Sequence, residues 1–211
     1  MTSGRVAWSG LVLGVQPRID LMRSFDQRSH SYLGYVLSIE GAVEGASGEF
    51  TVRIGPGMLA KHTFRAGDRV SGIAHRVLDR DRETADLYRA SALVFETRGV
   101  EPVAAPGPPW RGVPPPLPVY RERGHRRLDA RTYDAKCRTC QWGCRMPVAM
   151  IVDQWQPTRR EYRFETFCYG PKSCAYYRPG PTRKVPGRRG MSWEEENWVD
   201  EETVEHRGPD E

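Results

Sequence analysis

Cys137-Arg138-Thr139-Cys140-Gln141-Trp142-Gly143-Cys144 and, further on, Cys168-Tyr169-Gly170-Pro171-Lys172-Ser173-Cys174 hold all five cysteines of a 211-residue chain. Thiols scattered at random would not crowd into so short a window, so the window reads as a site for a metal ion or cluster. A thiolate suits a soft or borderline metal, and a C-x-x-C turn can aim two sulfurs the same way. Cys137 and Cys140 supply the first turn. Cys168 and Cys174 supply the second, with Gly170 and Pro171 shaping the loop between them. Cys144 is an extra candidate that could replace Cys140.

Between the two groups Val148, Met150 and Val152 alternate with Ala149, Ile151 and Asp153; beyond Pro157, Tyr162, Phe164 and Thr166 alternate with Arg163, Glu165 and Phe167. Period two marks half-buried strands, so two antiparallel strands are expected to carry Cys168 and Cys174 back to the first pair. This arrangement resembles a zinc ribbon, in which two cysteine turns at one end of a hairpin clamp one ion. The resemblance implies a structural zinc held by four cysteines. A 4Fe-4S cluster is the alternative, since it also takes four cysteines and tolerates irregular spacing; buried free thiols or disulfides are a third. With four thiolate ligands zinc has no open position for substrate, so the site is expected to hold a small core together and not to catalyse. No phosphate loop, G-x-S-x-G or dinucleotide fingerprint is present, and the five histidines are dispersed.

Upstream, residues 1–98 show five strand-like runs: Leu11 to Leu21, Tyr32 to Glu40, Glu49 to Ile54, Arg69 to Val77 and Ala85 to Phe95. Pro17 inside the first predicts an edge position or a bend. Met58 to Phe64 is expected to form a short helix between the third and fourth runs. Five strands with a helix at that place is the order of an OB-fold, a partly open Greek-key barrel. The turn-and-strand Phe64-Arg65-Ala66-Gly67-Asp68-Arg69-Val70-Ser71-Gly72 resembles the approach to the fourth strand of OB domains. The fold expected is therefore mainly β: a five-stranded OB-like barrel, a metal-stabilised hairpin module, and a short acidic C-terminal helix.

Residues 99–118 are proline-rich and read as a polyproline spacer, with Trp110 pinning it to a neighbouring surface. Residues 119–190 form the basic cysteine module and 191–211 an acidic tail. The net charge of +5 hides this segregation: residues 1–109 carry +1, residues 110–190 carry +12 and residues 191–211 carry −8. Tyr120 to Tyr133 reads as a basic helix. Ser192 and Glu195 have the spacing of a capping box that would start the tail helix, and disorder is expected beyond His206. The apolar run Leu11 to Val15 is too short to span a membrane and has no basic n-region or small-residue cleavage site around it, so no secretory signal is expected there. A reducing, cytoplasmic setting with no membrane partner is expected, which favours metal ligation over disulfides.

An OB domain with a basic neighbour predicts binding of single-stranded nucleic acid, with sequence-independent, salt-sensitive affinity. The candidate contacts are Arg23, Phe25, Arg28 and His30 in the first inter-strand loop, and Arg126 and Arg127 in the basic segment. The alternatives are a protein–protein scaffold docking through the acidic tail and its tryptophans, and an iron–sulfur redox protein. The scaffold reading includes a resemblance to acyl-CoA-associated proteins, which join a ribbon and an OB domain in the reverse order.

Overall fold

The elements, in chain order, are β1 (Arg5–Arg23), β2 (Arg28–Val43), β3 (Ala46–Ile54), α1 (Pro56–His62), β4 (Arg69–Arg76), β5 (Leu87–Thr97), α2 (Leu117–Arg123), β6 (Arg126–Arg127), α3 (Ala130–Thr132), β7 (Gly143–Ile151), β8 (Arg160–Cys168), β9 (Lys184–Pro186), β10 (Ser192–Glu194) and α4 (Trp198–Val204). They come from a computed structural model that describes residues 4–24, 27–100, 107–195 and 198–211. Among the described residues no helix is long and apolar enough to cross a membrane.

The molecule is mainly β, and a large mixed sheet dominates it. Its first half closes into a ring of five strands: β1 pairs with β2, β2 with β3, β3 with β5, β5 with β4, and β4 with β1. The β3–β5 contact is parallel, at Val52 and Leu87, and the other four pairs are antiparallel. Alternation drives this closure. Tyr35, Leu37 and Ile39 on β2 and Phe50, Val52 and Ile54 on β3 point inward, where they meet Val12, Val15 and Ile19 of β1. Each fully buried aliphatic side chain is worth about 1.5–3 kcal/mol. Leu33 breaks this alternation and is 40% exposed: the β1 pairing skips it, passing from Gly34 to Tyr32, and the adjoining Gly34 has φ +142°. A Cβ at Gly34 would lie 2.5 Å from the Ile54 carbonyl oxygen. The Gly67-Asp68 turn forms as expected: the buried Asp68 carboxylate accepts from the Arg65 and Gly99 amides, 3.1 and 2.9 Å away.

The second half is not a separate sheet. β1 runs on past the ring, and its last residues, Leu21–Arg23, pair in parallel with Val148–Met150 of β7. β8 and the short β6 complete an eight-stranded sheet. Pro17 falls between the stretch of β1 that pairs with β4 and the stretch that pairs with β7. There β2 is its partner, and the missing N–H costs no ladder bond on the other side.

Three expectations for the basic and acidic segments are corrected. The basic helix does not run from Tyr120 to Tyr133: α2 stops at Gly124, whose φ is +66° and which lies against Thr203. The chain continues as β6, α3 and a π-helical turn at Tyr133–Cys137. Ser192 caps no helix, because Ser192–Glu194 is strand β10, paired with β9. Residues beyond His206 are ordered by contacts. Arg207, 5% exposed, donates to the carbonyls of Tyr169 and Gly170, and Lys172 Nζ donates to the Arg207 carbonyl.

Charges taken out of water join these parts. Glu165 on β8 is buried and lies 2.6 Å from Arg163, 3.4 Å from Arg23 and 3.8 Å from Arg183. Arg23 also meets Glu195 at 2.9 Å. Breaking a buried pair by removing one partner leaves an uncompensated charge, so Glu165→Gln is expected to cost about 3–5 kcal/mol. Urea unfolding measures this, and a loss below about 1 kcal/mol, the range of exposed pairs, would show that water reaches the cluster.

Candidate metal centre and the adjoining cleft

The β7–β8 hairpin sets the geometry. Gly143 pairs with Cys168, and the ladder runs to Ile151 and Arg160. The loop containing Cys137 and Cys140 therefore enters the hairpin at the same end from which Cys168 leads out to Cys174. Cys137, Cys140 and Cys168 share a small buried cluster with Leu128 and Tyr133, flanked by Trp110, Trp142 and Tyr177. Trp110 thus does pin the proline-rich segment, and its carbonyl accepts from the Gln141 amide at 2.8 Å. Cys174 is half-buried, and all five cysteines are free thiols.

Cys144 is elsewhere. It lies on β7 in phase with Met146, Val148 and Met150, all four in the main core, and its thiol faces the Pro17 carbonyl at 3.4 Å. The exchange of Cys144 for Cys140 is accordingly not what the structure builds. The sign was in the sequence: extending the Val148, Met150 alternation back by two and four residues reaches Met146 and Cys144.

Burial and neighbouring thiols act on Cys137, Cys140 and Cys168. Burial pushes Cys137 up to about 12, with Cys140, Cys168 and Cys174 adding to the rise. Burial likewise pushes Cys140 up to about 11, opposed by the amides of Trp142 and Trp110 and reinforced by Cys168 and Cys174. Cys168 is raised by burial against the pull of the Gly170 amide and Arg126. Two of these amides have matching positions: Trp142 lies two residues after Cys140 and Gly170 two after Cys168, where its N–H reaches Sγ at 3.4 Å. Such donors favour a thiolate over a thiol. Among the described residues no three His, Cys, Asp or Glu side chains already converge as metal ligands.

A cleft of about 360 Å³ lies beside the first cysteine turn. Its floor is the outer face of the ring, with Gln16 and Pro17 of β1, Val36 and Ser38 of β2 and Thr51 of β3. The β4–β5 connection forms one side with Arg80, Glu83, Thr84 and Asp86. Tyr133, Asp134, Arg138, Arg145 and Phe164 form the other. Glu83 is held by Arg18 at 2.7 Å and Arg53 at 2.8 Å, and Asp86 accepts from Thr51. Arg138 pairs with Glu49 at 2.8 Å, both side chains being half-exposed, and Arg145 lies 4.9 Å over the Phe164 ring.

The residues expected to contact nucleic acid are placed differently. Phe25 lies outside the described residues. Arg23, Arg28 and His30 are brought near Arg126 and Arg127, but all five serve the fold. Arg23 is 2% exposed between Glu165 and Glu195, and Arg28 also binds Glu195 at 2.8 Å. Arg126 lies 3.8 Å over Tyr177 and donates to Pro171 and Lys172 carbonyls, while the buried Arg127 donates to Pro181. The acidic tail, through Glu195, occupies positions that the sequence assigns to phosphate. Composition gave the cleft arginines no distinction from other surface arginines; only the ring's topology singles them out.

His30 packs on His125 with ring centroids 4.7 Å apart. Burial, then Arg28 and Arg23, holds His30 down to about 4, and burial also lowers His125. Because the folded state lowers these values below about 6.5, the contribution is complete above that pH and is lost as pH falls toward about 4. Unfolding free energy measured from pH 7 to pH 4 should fall less steeply for His30→Phe than for the native chain. Parallel curves would show that the ring is hydrated.

Comparison with family models, curated proteins and solved structures finds no match.

Proposed function

We propose that this chain is a single-stranded nucleic-acid-binding protein of OB type, whose second half is a zinc-ribbon-like module with Cys137, Cys140, Cys168 and Cys174 as structural ligands. The observation that carries the binding reading is the position of the cleft. The five-stranded ring β1-β2-β3-β5-β4, with α1 between β3 and β4, supports the OB reading. In OB domains the ligand lies across the second and third strands and the loops beside them. Here the cleft sits on the outer face of β2 and β3 and against the β4–β5 connection. Arg138 can exchange its exposed partner for a phosphate at small cost, since exposed ion pairs are worth only about 0–1 kcal/mol. Phe164 offers a ring for stacking, the sequence-tolerant part of single-strand binding.

The donor set supports the metal reading. Four thiols on two turns at one hairpin end, with amides aimed at Cys140 and Cys168, suit an ion that keeps its sulfurs ionised. Zinc, when bound, would supply cohesion in a region whose own core is small. Purified protein should hold about one zinc per chain. Cys140→Ser should lose it and Cys144→Ser should keep it. Iron, absorbance near 400 nm, or retention by Cys140→Ser would each overturn the assignment.

For the binding reading, a fluorescent single-stranded oligonucleotide should bind at low salt and weaken as salt rises. The double variant Arg138→Glu, Arg145→Glu should lower affinity at least about tenfold, consistent with the loss of two phosphate contacts. No binding by the native chain at low salt would end this reading and leave the protein-scaffold alternative.

A further inference from the structure

We infer that occupancy of the cleft and occupancy of the cysteine site are coupled, with Gln16 as the positioning residue between them. The inference rests on the proposed function and adds its regulation: the protein grips a single strand well only when the metal is in place.

The cleft and the first cysteine turn share a wall. Tyr133, Asp134 and Arg138 line the cleft, and Cys137 lies between them in sequence. Gln16, on β1, is 6% exposed and reaches across. Its amide nitrogen donates to the Cys137 carbonyl at 2.7 Å and to the Cys140 carbonyl at 2.8 Å. Its oxygen accepts from the Tyr133 hydroxyl at 2.7 Å. Both amide hydrogens are therefore spent on the two residues whose sulfurs would take the metal, and the oxygen is spent on a residue of the cleft.

The backbone leaves this wall no slack. A Cβ on Gly14 would lie 2.4 Å from the Thr139 carbonyl, so the turn between Cys137 and Cys140 rests directly on β1. A Cβ on Gly143 would lie 2.7 Å from both the Cys137 carbonyl and Gln16 Nε2. On the far side the Arg138 carbonyl accepts from Ser38 Oγ of the cleft floor at 3.4 Å. Drawing the sulfurs of Cys137 and Cys140 onto an ion fixes the carbonyls that Gln16 holds, and with them Tyr133 and Arg138. Coupling of this kind is reciprocal: whatever factor the metal adds to strand affinity, the strand must add to metal affinity.

The test uses the full chain under reducing conditions. Affinity for a labelled single-stranded oligonucleotide is measured with zinc loaded and after removal by chelator. Zinc affinity is measured by competition with a chromogenic chelator, with and without saturating oligonucleotide. The expected result is a factor of about ten in each direction, within the usual range for coupled sites. In Gln16→Leu the factor should fall toward one in both directions, whatever the variant does to either affinity alone, which a merely structural role would not produce. Gln16→Glu, which keeps an acceptor for Tyr133 and loses both donors, should behave the same way. If neither variant folds, the two factors in the native chain decide by themselves. Equal strand affinity with and without zinc overturns the coupling alone and leaves the proposed function standing. A zinc-loaded chain that ignores the oligonucleotide, or a chain that holds no zinc, overturns the corresponding part of that function and the coupling with it.

Discussion

A carboxylate sealed from water must be matched by positive charge, and Glu165 is matched by arginines from three places. Arg23 comes from the end of β1, Arg163 from its own strand, and Arg183 from the segment before β9. Burial lowers the pKa of Arg23, and Glu165 and Glu195 work against that shift. Because desolvation makes each charge costly alone, the group is stable only as a set. This explains why the acidic C-terminal segment is part of the folded body: Glu195 supplies the second carboxylate that Arg23 requires, and it serves Arg28 as well. The acidic end is thus tied by these ion pairs to Arg23 and Arg28, in the part of the sequence that is itself nearly neutral.

The ring of strands was legible because its residues obey a local rule. Phe50, Val52 and Ile54 alternate with polar residues, and their alternation alone decides which face is buried. What was not legible follows from distant partners. Nothing near Arg23 in sequence announces Glu165 or Glu195, so a loop rich in arginine looked like a surface for phosphate. Ser192 and Glu195 have capping-box spacing, yet pairing with β9 and the demand of Arg23 overrode it. Gln16 gave no sign at all, since a lone glutamine in a strand looks like any outward polar residue until the cysteine turn is laid against it.

The cysteine pair turns show the same division. The C-x-x-C spacing and the hairpin between the two groups could be read directly, and the Gly143 to Cys168 register brings their ends together. The position of Cys144 depended on strand phase, which cysteine spacing ignores. Burial raises Cys137, Cys140 and Cys168, while the amides at Trp142 and Gly170 pull Cys140 and Cys168 the other way.

The shared strand β1 has a consequence for how the chain can be divided. Its final residues are completed by β7, and β7 comes after the proline-rich segment. Cutting the polypeptide at that segment would give one fragment whose longest strand ends in open backbone donors and acceptors. The other fragment would expose the edge of β7 that once lay against it. Bare edges of this kind recruit foreign strands, so the two halves, although they look like separate modules on paper, each shield an edge of the other within one sheet.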